Sequence, residues 1–495
     1  MSAHICLIIP PSPFLLDERV FPFLGILKVA AALERAGQQV EVLDLSGYKN
    51  YLDAVAEHVR TTTATAFGIT ATTPQMPAAA HIAQTIRGIK PASRIILGGT
   101  HATLVAASLK SDNKRGRVGR AHRAFAQLES YFDVVIAGDG ERSIFLAIQD
   151  TSPKFIDADN SKDSTLFLKD SVSELEEVFP ARHLIDIESY HYQIEGQRAT
   201  SLIAQLGCPF PCGFCGGRKS PMLRHIRTRS TASIIEEMVQ VYRHYGHTGF
   251  MFYDDELNVS TSMVDLMQAI ARTQKDLGVE WRLRGFIKSE LFTDEQAEAM
   301  YEAGFRWILV GFESGSPRIL ENIRKQATQE DNTTCMDIAR RHGLKVKALM
   351  SLGHPGESPD TIRSTQDWLV EVRPADFDAT IITPYPGSPY YDDAEATSED
   401  GVWVYTTRNG DTLYEREVDY TEVADYYKGK PGENYVSHVW TDSLSPEDLV
   451  RARDSLEQEV RTQLNISFNP GAAAMLYEHS MGQSNLPDHM LRTSS

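Results

Sequence analysis

Over the first 150 residues, short apolar runs alternate with amphipathic stretches. The strand-like runs are Ile5–Ile9, Val40–Leu45, Ala66–Ala71, Ile95–Leu97 and Val134–Ala137, and helical periodicity fills the gaps at Leu24–Ala36 and Ala78–Ile89. Near-continuous apolar strands separated by helices predict a parallel sheet covered on both faces, a doubly wound Rossmann-like α/β domain. Three strands run into small polar turns: Thr70-Ala71-Thr72-Thr73, Gly98-Gly99-Thr100-His101 and Gly138-Asp139-Gly140-Glu141. Open α/β sheets bind ligands at such carboxyl ends. Residues 110–123 carry Lys110, Lys114, Arg115, Arg117, Arg120 and Arg123 and read as a solvated insertion loop, with a grip on an anionic ligand as the alternative. Residues 151–195 read as a polar connector.

A second alternation occupies residues 196–395. Strands are predicted at Ser201–Leu206, Gly249–Tyr253, Trp281–Phe286, Trp307–Val310, Val346–Leu352 and Phe377–Ile382. Helices are predicted at Ala232–Tyr245, Ser262–Leu277, Asp294–Ala303, Gln329–His342 and Pro359–Val372. Six strand–helix units make a partial (β/α)6 barrel of the TIM type, with chemistry expected at its carboxyl ends. The pattern then decays. Residues 396–495 are expected to form a small, mainly helical region, with a helix at Pro446–Leu464 and a flexible tail rich in Gly, Ser and Asn.

Charge narrows the function classes. A net charge of −18 disfavours nucleic acid and anionic membranes as partners. No apolar run has the roughly 18 residues of a membrane span, and the opening residues lack a basic region and cleavage site, so cytoplasmic localisation is expected. Only five cysteines occur, and Cys208, Cys212 and Cys215 fall within eight residues. That is poor economy for disulfides and good economy for metal.

The cysteines lie in Gly207-Cys208-Pro209-Phe210-Pro211-Cys212-Gly213-Phe214-Cys215-Gly216-Gly217, directly after the first predicted barrel strand. Three thiolates on a cubane iron–sulfur cluster leave one iron open. The alternative is structural zinc completed by His225, but such sites usually pair two knuckles and only one is present. The C-x3-C-x2-C spacing, with an aromatic before the last cysteine, resembles the signature of the radical S-adenosylmethionine superfamily. The resemblance implies a [4Fe–4S] cluster on Cys208, Cys212 and Cys215, with S-adenosylmethionine chelating the open iron and yielding a 5′-deoxyadenosyl radical on one-electron reduction. It implies adenine contact for Phe214. It also implies cofactor contacts for Asp254 and Asp255 at the second strand end, Arg284 on the third, and Glu313 and Ser314 at the fourth. Gly353-His354-Pro355-Gly356-Glu357 and Thr383–Ser388 are similar to loops that shape the barrel mouth in that family.

The N-terminal domain resembles the cobalamin-binding domain that precedes the barrel in one large branch, so that the likeness covers about residues 4–390. Implied corrinoid contacts are Pro11, Ser12, Thr72, Thr73, Gln75, Gly98, Gly99, His101, Gly138, Gly140 and Glu141. The D-x-H-x-x-G pattern that supplies a cobalt-ligating histidine is absent. For this branch the resemblance implies methylation of an unactivated carbon of a small molecule through methylcobalamin, with electrons from a donor such as flavodoxin or ferredoxin. Oxidative cyclisation or rearrangement, or a non-catalytic Fe–S/corrinoid sensor, are the alternatives. A transfer-RNA methylthiotransferase would carry three further N-terminal cysteines, where this chain has only Cys6. No acid–base or nucleophilic group is singled out, and the substrate is not legible.

Overall fold

The computed structural model describes residues 4–12, 18–162, 165–168, 178–426 and 435–466. Its first sheet is parallel and six-stranded: β1 (His4–Ile9), β2 (Gln39–Asp44), β3 (Ala66–Thr70), β4 (Arg94–Gly98), β5 (Val134–Gly138) and β6 (Phe155–Ala158), in the order β2-β1-β3-β4-β5-β6. Cys6, Ile8, Phe67, Ile69, Ile95 and Leu97 pack on one face. Ile5, Leu7, Ile9, Ile96, Val134 and Ile136 pack on the other, so the strands are apolar on both sides, as a doubly wound sheet requires. Five strands match the periodicity. The sixth comes from the region expected to be a connector and pairs with β5 from Val135↔Phe155 to Gly138↔Ala158. Four residues with Asp157 among them give no apolar run to detect. The strand order reverses between β1 and β3, which opens a crevice at their carboxyl ends.

The second sheet has the order β15-β14-β13-β12-β11-β8-β7. Six strands are parallel: β8 (Gln197–Leu202), β11 (Gly249–Phe252), β12 (Arg282–Ile287), β13 (Phe305–Glu313), β14 (Lys345–Leu352) and β15 (Asp376–Ile381). The short β7 (Gln193–Ile194) is antiparallel on β8. The curled sheet buries Phe250, Phe252, Ile308, Val310, Phe312, Val346 and Ala348 against its helices. Met251, Leu309, Leu349 and Phe286 line the other face, where Val20, Phe21 and Tyr192 cover them. The first barrel strand lies four residues earlier than its apolar run indicates. Asp254 accepts from the Ala204 amide at 3.1 Å and from that of Gln205, which ends the parallel ladder. Gln205–Leu206 then form β9, antiparallel to β10 (Arg227–Thr228).

The C-terminal region contains the expected helix Pro446–Leu464, capped by Ser445, whose hydroxyl accepts from the Asp448 amide. It also carries an antiparallel sheet of β16 (Glu395–Ala396), β17 (Val402–Thr406), β18 (Thr412–Arg416) and β19 (Val439–Trp440), which the periodicity did not predict. The tail lies outside the described residues. The basic run is not a solvated loop: it ends the helix Thr100–Arg115 and begins the helix Arg120–Tyr131. Four of its six cations are spent on acids elsewhere in the chain, Lys110 on Asp157 and Asp159, Arg115 on Asp393, Arg120 on Glu415 and Arg123 on Glu417, while Lys114 and Arg117 are exposed.

Candidate active site

The cysteine loop leaves β8 by way of β9. Gly207 has φ +88°, and a Cβ there would meet the His225 carbonyl oxygen at 2.1 Å, so only glycine fits. The Cys208 amide donates to Leu223 O at 3.0 Å and the Gly213 amide to Ile323 O at 2.8 Å. Arg218 donates to Cys208 O at 2.8 Å and to Phe210 O, which clamps the first half of the loop. All three cysteines are free and half-buried. Burial raises their thiols, Cys215 to about 12, opposed by Arg218 at Cys208 and Cys215 and by Lys325 and Lys288 at Cys212. Thiolates at this place therefore need metal charge to balance them. Ligands of one tetrahedral zinc ion sit about 3.8 Å apart when all are sulfur, whereas these three Sγ atoms do not gather within 4.8 Å of one another. Wider spacing suits thiolates that each hold a separate iron of a cluster. His225, the possible fourth zinc ligand, faces Phe167.

Next to the loop lies a charge network at the barrel mouth. Glu313 ends β13 in the left-handed region, φ +66°, after a register shift against β14. Its carboxylate accepts from Lys325 Nζ at 2.8 Å and from the Ser351 hydroxyl at 2.8 Å. Ser351 also meets His354 Nε2 at 2.8 Å. The His354 ring lies edge-on to Phe214, centroids 5.3 Å apart. Burial opposes the charge on Glu313, but Lys325 and Ser351 outweigh it and hold the carboxyl below its usual range. Burial lowers His354 to about 4, so the imidazole is neutral. Glu256 is raised to about 7 by burial, opposed by Lys325 and Lys288. Lys288 sits 4.1 Å from the centroid of Phe210. Both lysines lie close enough to Cys212 to favour its thiolate.

Of the residues singled out from sequence for S-adenosylmethionine, Phe214 and Glu313 join this network, and Asp255 lines the adjoining cleft. The other three are turned to other work. Asp254 is consumed by backbone amides, and Ser314 bonds Thr365 Oγ1 at 3.0 Å and the Ser316 amide. Arg284 pairs in register with Met251 and Trp307, below the mouth, where it reaches Tyr192 Oη at 3.4 Å and lies over the Trp307 ring. Sequence reasoning missed Lys288, Lys325 and Ser351 and gave His354 only a loop-shaping part. Ser351 and His354 are three residues apart, but Lys325 and Ser351 meet Glu313 from 12 and 38 residues away, so no motif spacing signals the network.

A cleft of about 2110 Å³, including the part open to solvent, runs from the first sheet to the barrel mouth. Ser12, Thr72, Gly98, Gly99, Gly138, Gly140 and Glu141 line it from one side, and Ser201, Gly207, Tyr253 and Asp255 from the other. Pro11, Thr73, Gln75 and His101 are not in its lining. Gln75 is fully buried and bonds Pro10 O, Ser12 Oγ and the Thr72 amide, stitching the turns after β1 and β3 together. His101 bonds Thr73 Oγ1 at 3.1 Å. Asp139 and Arg227, an ion pair at 2.8 Å, close the cleft between the sheets.

Two predictions arise here. Gly138 has φ +94°, and a Cβ would lie 2.4 Å from backbone atoms of Ala158 and Asp159. Gly138→Ala should cost about 1–2 kcal/mol from the left-handed conformation alone, more from the clash, and should weaken ligand binding in the cleft. Thermal unfolding and corrinoid titration measure the two effects. His101 is held neutral, its pKa lowered by burial to about 3. On acidification the unfolded chain takes up a proton there that the native state refuses, so stability falls below pH about 6.5. Relative to His101→Gln, the wild type should lose about 2 kcal/mol between pH about 7 and about 5. A difference in stability independent of pH would show that His101 is solvated.

Sequence comparison agrees with this layout. The B12 binding domain model matches residues 18–144, and the Radical SAM superfamily model matches residues 202–369. The uncharacterised methyltransferase PH0819 of Pyrococcus horikoshii is 25% identical over 80% of this chain and 83% of its own length. The anaerobic magnesium-protoporphyrin IX monomethyl ester cyclase of Rubrivivax gelatinosus is 21% identical over 72% of this chain, which spans 63% of that protein. Among solved structures, the radical S-adenosylmethionine methyltransferase TsrM from Kitasatospora setae, with cobalamin and [4Fe–4S] cluster bound, has the same fold. Its TM-score is 0.62 at 18% identity, over 95% of this chain and 92% of that one. The matched segments fall within the two α/β regions whose sheets face each other across the cleft, and the cysteine loop lies in the second; the chain carries a B12-binding domain ahead of a radical SAM core.

Proposed function

We propose that the protein is a cobalamin-dependent methyltransferase that places a methyl group on an unactivated carbon of a small molecule. The observation that carries this reading is the cleft itself: turns of the first sheet line one side, and Ser201, Gly207, Tyr253 and Asp255, next to the cysteine loop, line the other, so a corrinoid and a substrate bound there lie beside the loop that holds the cluster. When bound, the cluster with S-adenosylmethionine supplies a carbon-centred radical, and the corrinoid supplies the methyl group. The chain's part is placement. Cys208, Cys212 and Cys215 hold the cluster. Phe214 and the Glu313–Lys325–Ser351–His354 network position the nucleoside and its polar groups. Gly98, Gly99, Gly138 and Gly140 let the backbone approach the corrinoid, with Ser12, Thr72 and Glu141 at its edges. Tyr253 and Asp255 face the substrate space, and the surrounding apolar walls keep water from the radical. Electrons come from a flavodoxin- or ferredoxin-like donor in the cytoplasm.

Likeness to the magnesium-protoporphyrin ester cyclase over 72% of the chain favours a second reading, oxidative cyclisation. Anaerobic reconstitution with S-adenosylmethionine labelled in its S-methyl group separates the two. Methyl transfer puts label into the corrinoid fraction and 5′-deoxyadenosine into solution. Cyclisation gives 5′-deoxyadenosine with a product of unchanged carbon count. A sensor gives no 5′-deoxyadenosine under a strong reductant, which would overturn the proposal.

A further inference from the structure

Away from the cleft, four side chains with metal-binding atoms converge on the first sheet. Cys6 and Glu41 are cross-strand neighbours on β1 and β2. His4 lies two residues before Cys6 on the same face of β1, and His58 reaches down from the covering helix Tyr51–Thr61. His58 Nε2 is 3.5 Å from Cys6 Sγ and 3.2 Å from Glu41 Oε1. The three ligand atoms lie within 4.8 Å of one another. His4 Nε2 stands 3.7 Å from the same carboxylate oxygen.

This arrangement is not a nucleophile relay. A Cys–His–Glu relay contacts the two imidazole nitrogens from opposite sides, whereas here thiol and carboxylate both approach Nε2. Two donors converging on one nitrogen suit ligands that share an ion. Tetrahedral zinc with bonds of about 2.3 Å to sulfur and about 2.0 Å to nitrogen or oxygen sets S and N about 3.5 Å apart and N and O about 3.3 Å apart. We propose that Cys6, Glu41 and His58 bind a zinc ion that pins β1, β2 and the helix Tyr51–Thr61 together, with His4 the nearest further donor.

The surroundings fit. Ionised Cys6 and Glu41 neutralise a dication in a place where Cys6 is fully buried and Glu41 is only 31% exposed. Binding releases the thiol proton to solvent. His4 Nδ1 bonds Thr63 Oγ1 at 2.6 Å, which leaves Nε2 facing the site, and Thr62 bonds the Glu41 carboxylate. Such outer hydrogen bonds are what orient metal ligands. Lys90, the nearby cation, is held on the Thr62 and Ala64 carbonyls. The site lies at the start of β1, opposite the end that opens into the cleft, so its role is structural. The inference does not rest on the proposed reaction.

The test is elemental analysis of the full-length protein grown with zinc and reconstituted anaerobically. About one zinc per chain is expected beyond the cluster iron, with one sulfur at about 2.3 Å by zinc X-ray absorption. The Cys212→Ala variant should keep this zinc. His58→Ala, on a helix surface, should lose affinity by more than the roughly 10–100-fold that outer-shell changes cost, read by competition with a chromogenic chelator. Cys6→Ser should lose the zinc altogether. Should Cys6→Ser not fold, the sulfur count and the His58 variant still decide. Absence of zinc from the wild type, three sulfurs around it, or equal retention by the His58 variant would each overturn the proposal.

Discussion

Cys212→Ala leaves the anaerobically reconstituted protein without stoichiometric iron and sulfide and drops 5′-deoxyadenosine formation to background, while corrinoid binding stays near wild type. Three protein thiolates are the minimum that leaves a single open iron, and a cluster on two has a second exposed corner. Cys212 is also the thiol nearest the mouth lysines, since Lys325 and Lys288 are the charges that most favour its thiolate. Alanine keeps the loop's backbone bonds, of which the Gly213 amide to Ile323 O at 2.8 Å is the adjacent one, so the change removes the ligand and spares the fold. Corrinoid binding depends on the other wall of the cleft, from Ser12 to Glu141. Iron and sulfide assay, product chromatography and corrinoid titration on one preparation read all three. Joint loss of cluster and corrinoid would contradict separate sites. Stoichiometric zinc held by the cysteine loop, with no sulfide, would end the cluster assignment.

That prediction rests on residues legible in the sequence because they are contiguous. A metal loop announces itself by spacing, and parallel strands announce themselves by runs such as Ile5–Ile9 and Ala66–Ala71, whose two faces are both buried. What escaped depends on distant partners. Lys325 is an unremarkable lysine until the register shift at Gly311/Glu313 turns Glu313 toward it. Asp254 and Asp255 are identical in type and adjacent, yet one is spent on the Ala204 and Gln205 amides and the other faces the cleft. Alternation along a strand decides such a pair, and the strand's end lay one residue from where its apolar run placed it. His101 and Gln75 illustrate the same limit. Both follow a strand in turns of the right composition, but each points back into the domain to tie turns together. The strands β6, β16 and β19 are too short for periodicity to register, whereas β17 carries Val402, Trp403, Val404 and Tyr405, a strand-like run that is legible and that sequence reasoning missed.

Arg120→Met should be the most destabilising of the charge changes, because the clasp it forms is buried throughout. Arg120 and Glu415 are only 3% and 4% exposed and meet at 2.8 Å. The guanidinium also donates to Tyr391 O at 2.6 Å and lies 3.5 Å from the Tyr391 ring centroid and 4.5 Å from that of Trp403. This is the main tie between the first domain's helix Arg120–Tyr131 and β18. Removing one partner of a buried pair costs about 3–5 kcal/mol, whereas replacing both by apolar side chains is often near neutral. Arg120→Met/Glu415→Leu should therefore recover most of the loss. The exposed pair Arg123–Glu417 supplies the contrast, since its removal should cost under about 1 kcal/mol. A pH dependence follows. Burial raises Glu415 to about 7 even beside Arg120, and higher once the cation is gone. The native Arg120→Met protein then holds a proton that the unfolded chain releases above its ordinary carboxylate pKa, so its stability falls as pH rises. The deficit against wild type should be largest above pH about 7 and should shrink toward pH about 5.5, where Glu415 is neutral in both. Denaturant unfolding at the two pH values measures it. A deficit as small as that of Arg123→Ala would mean the clasp is hydrated.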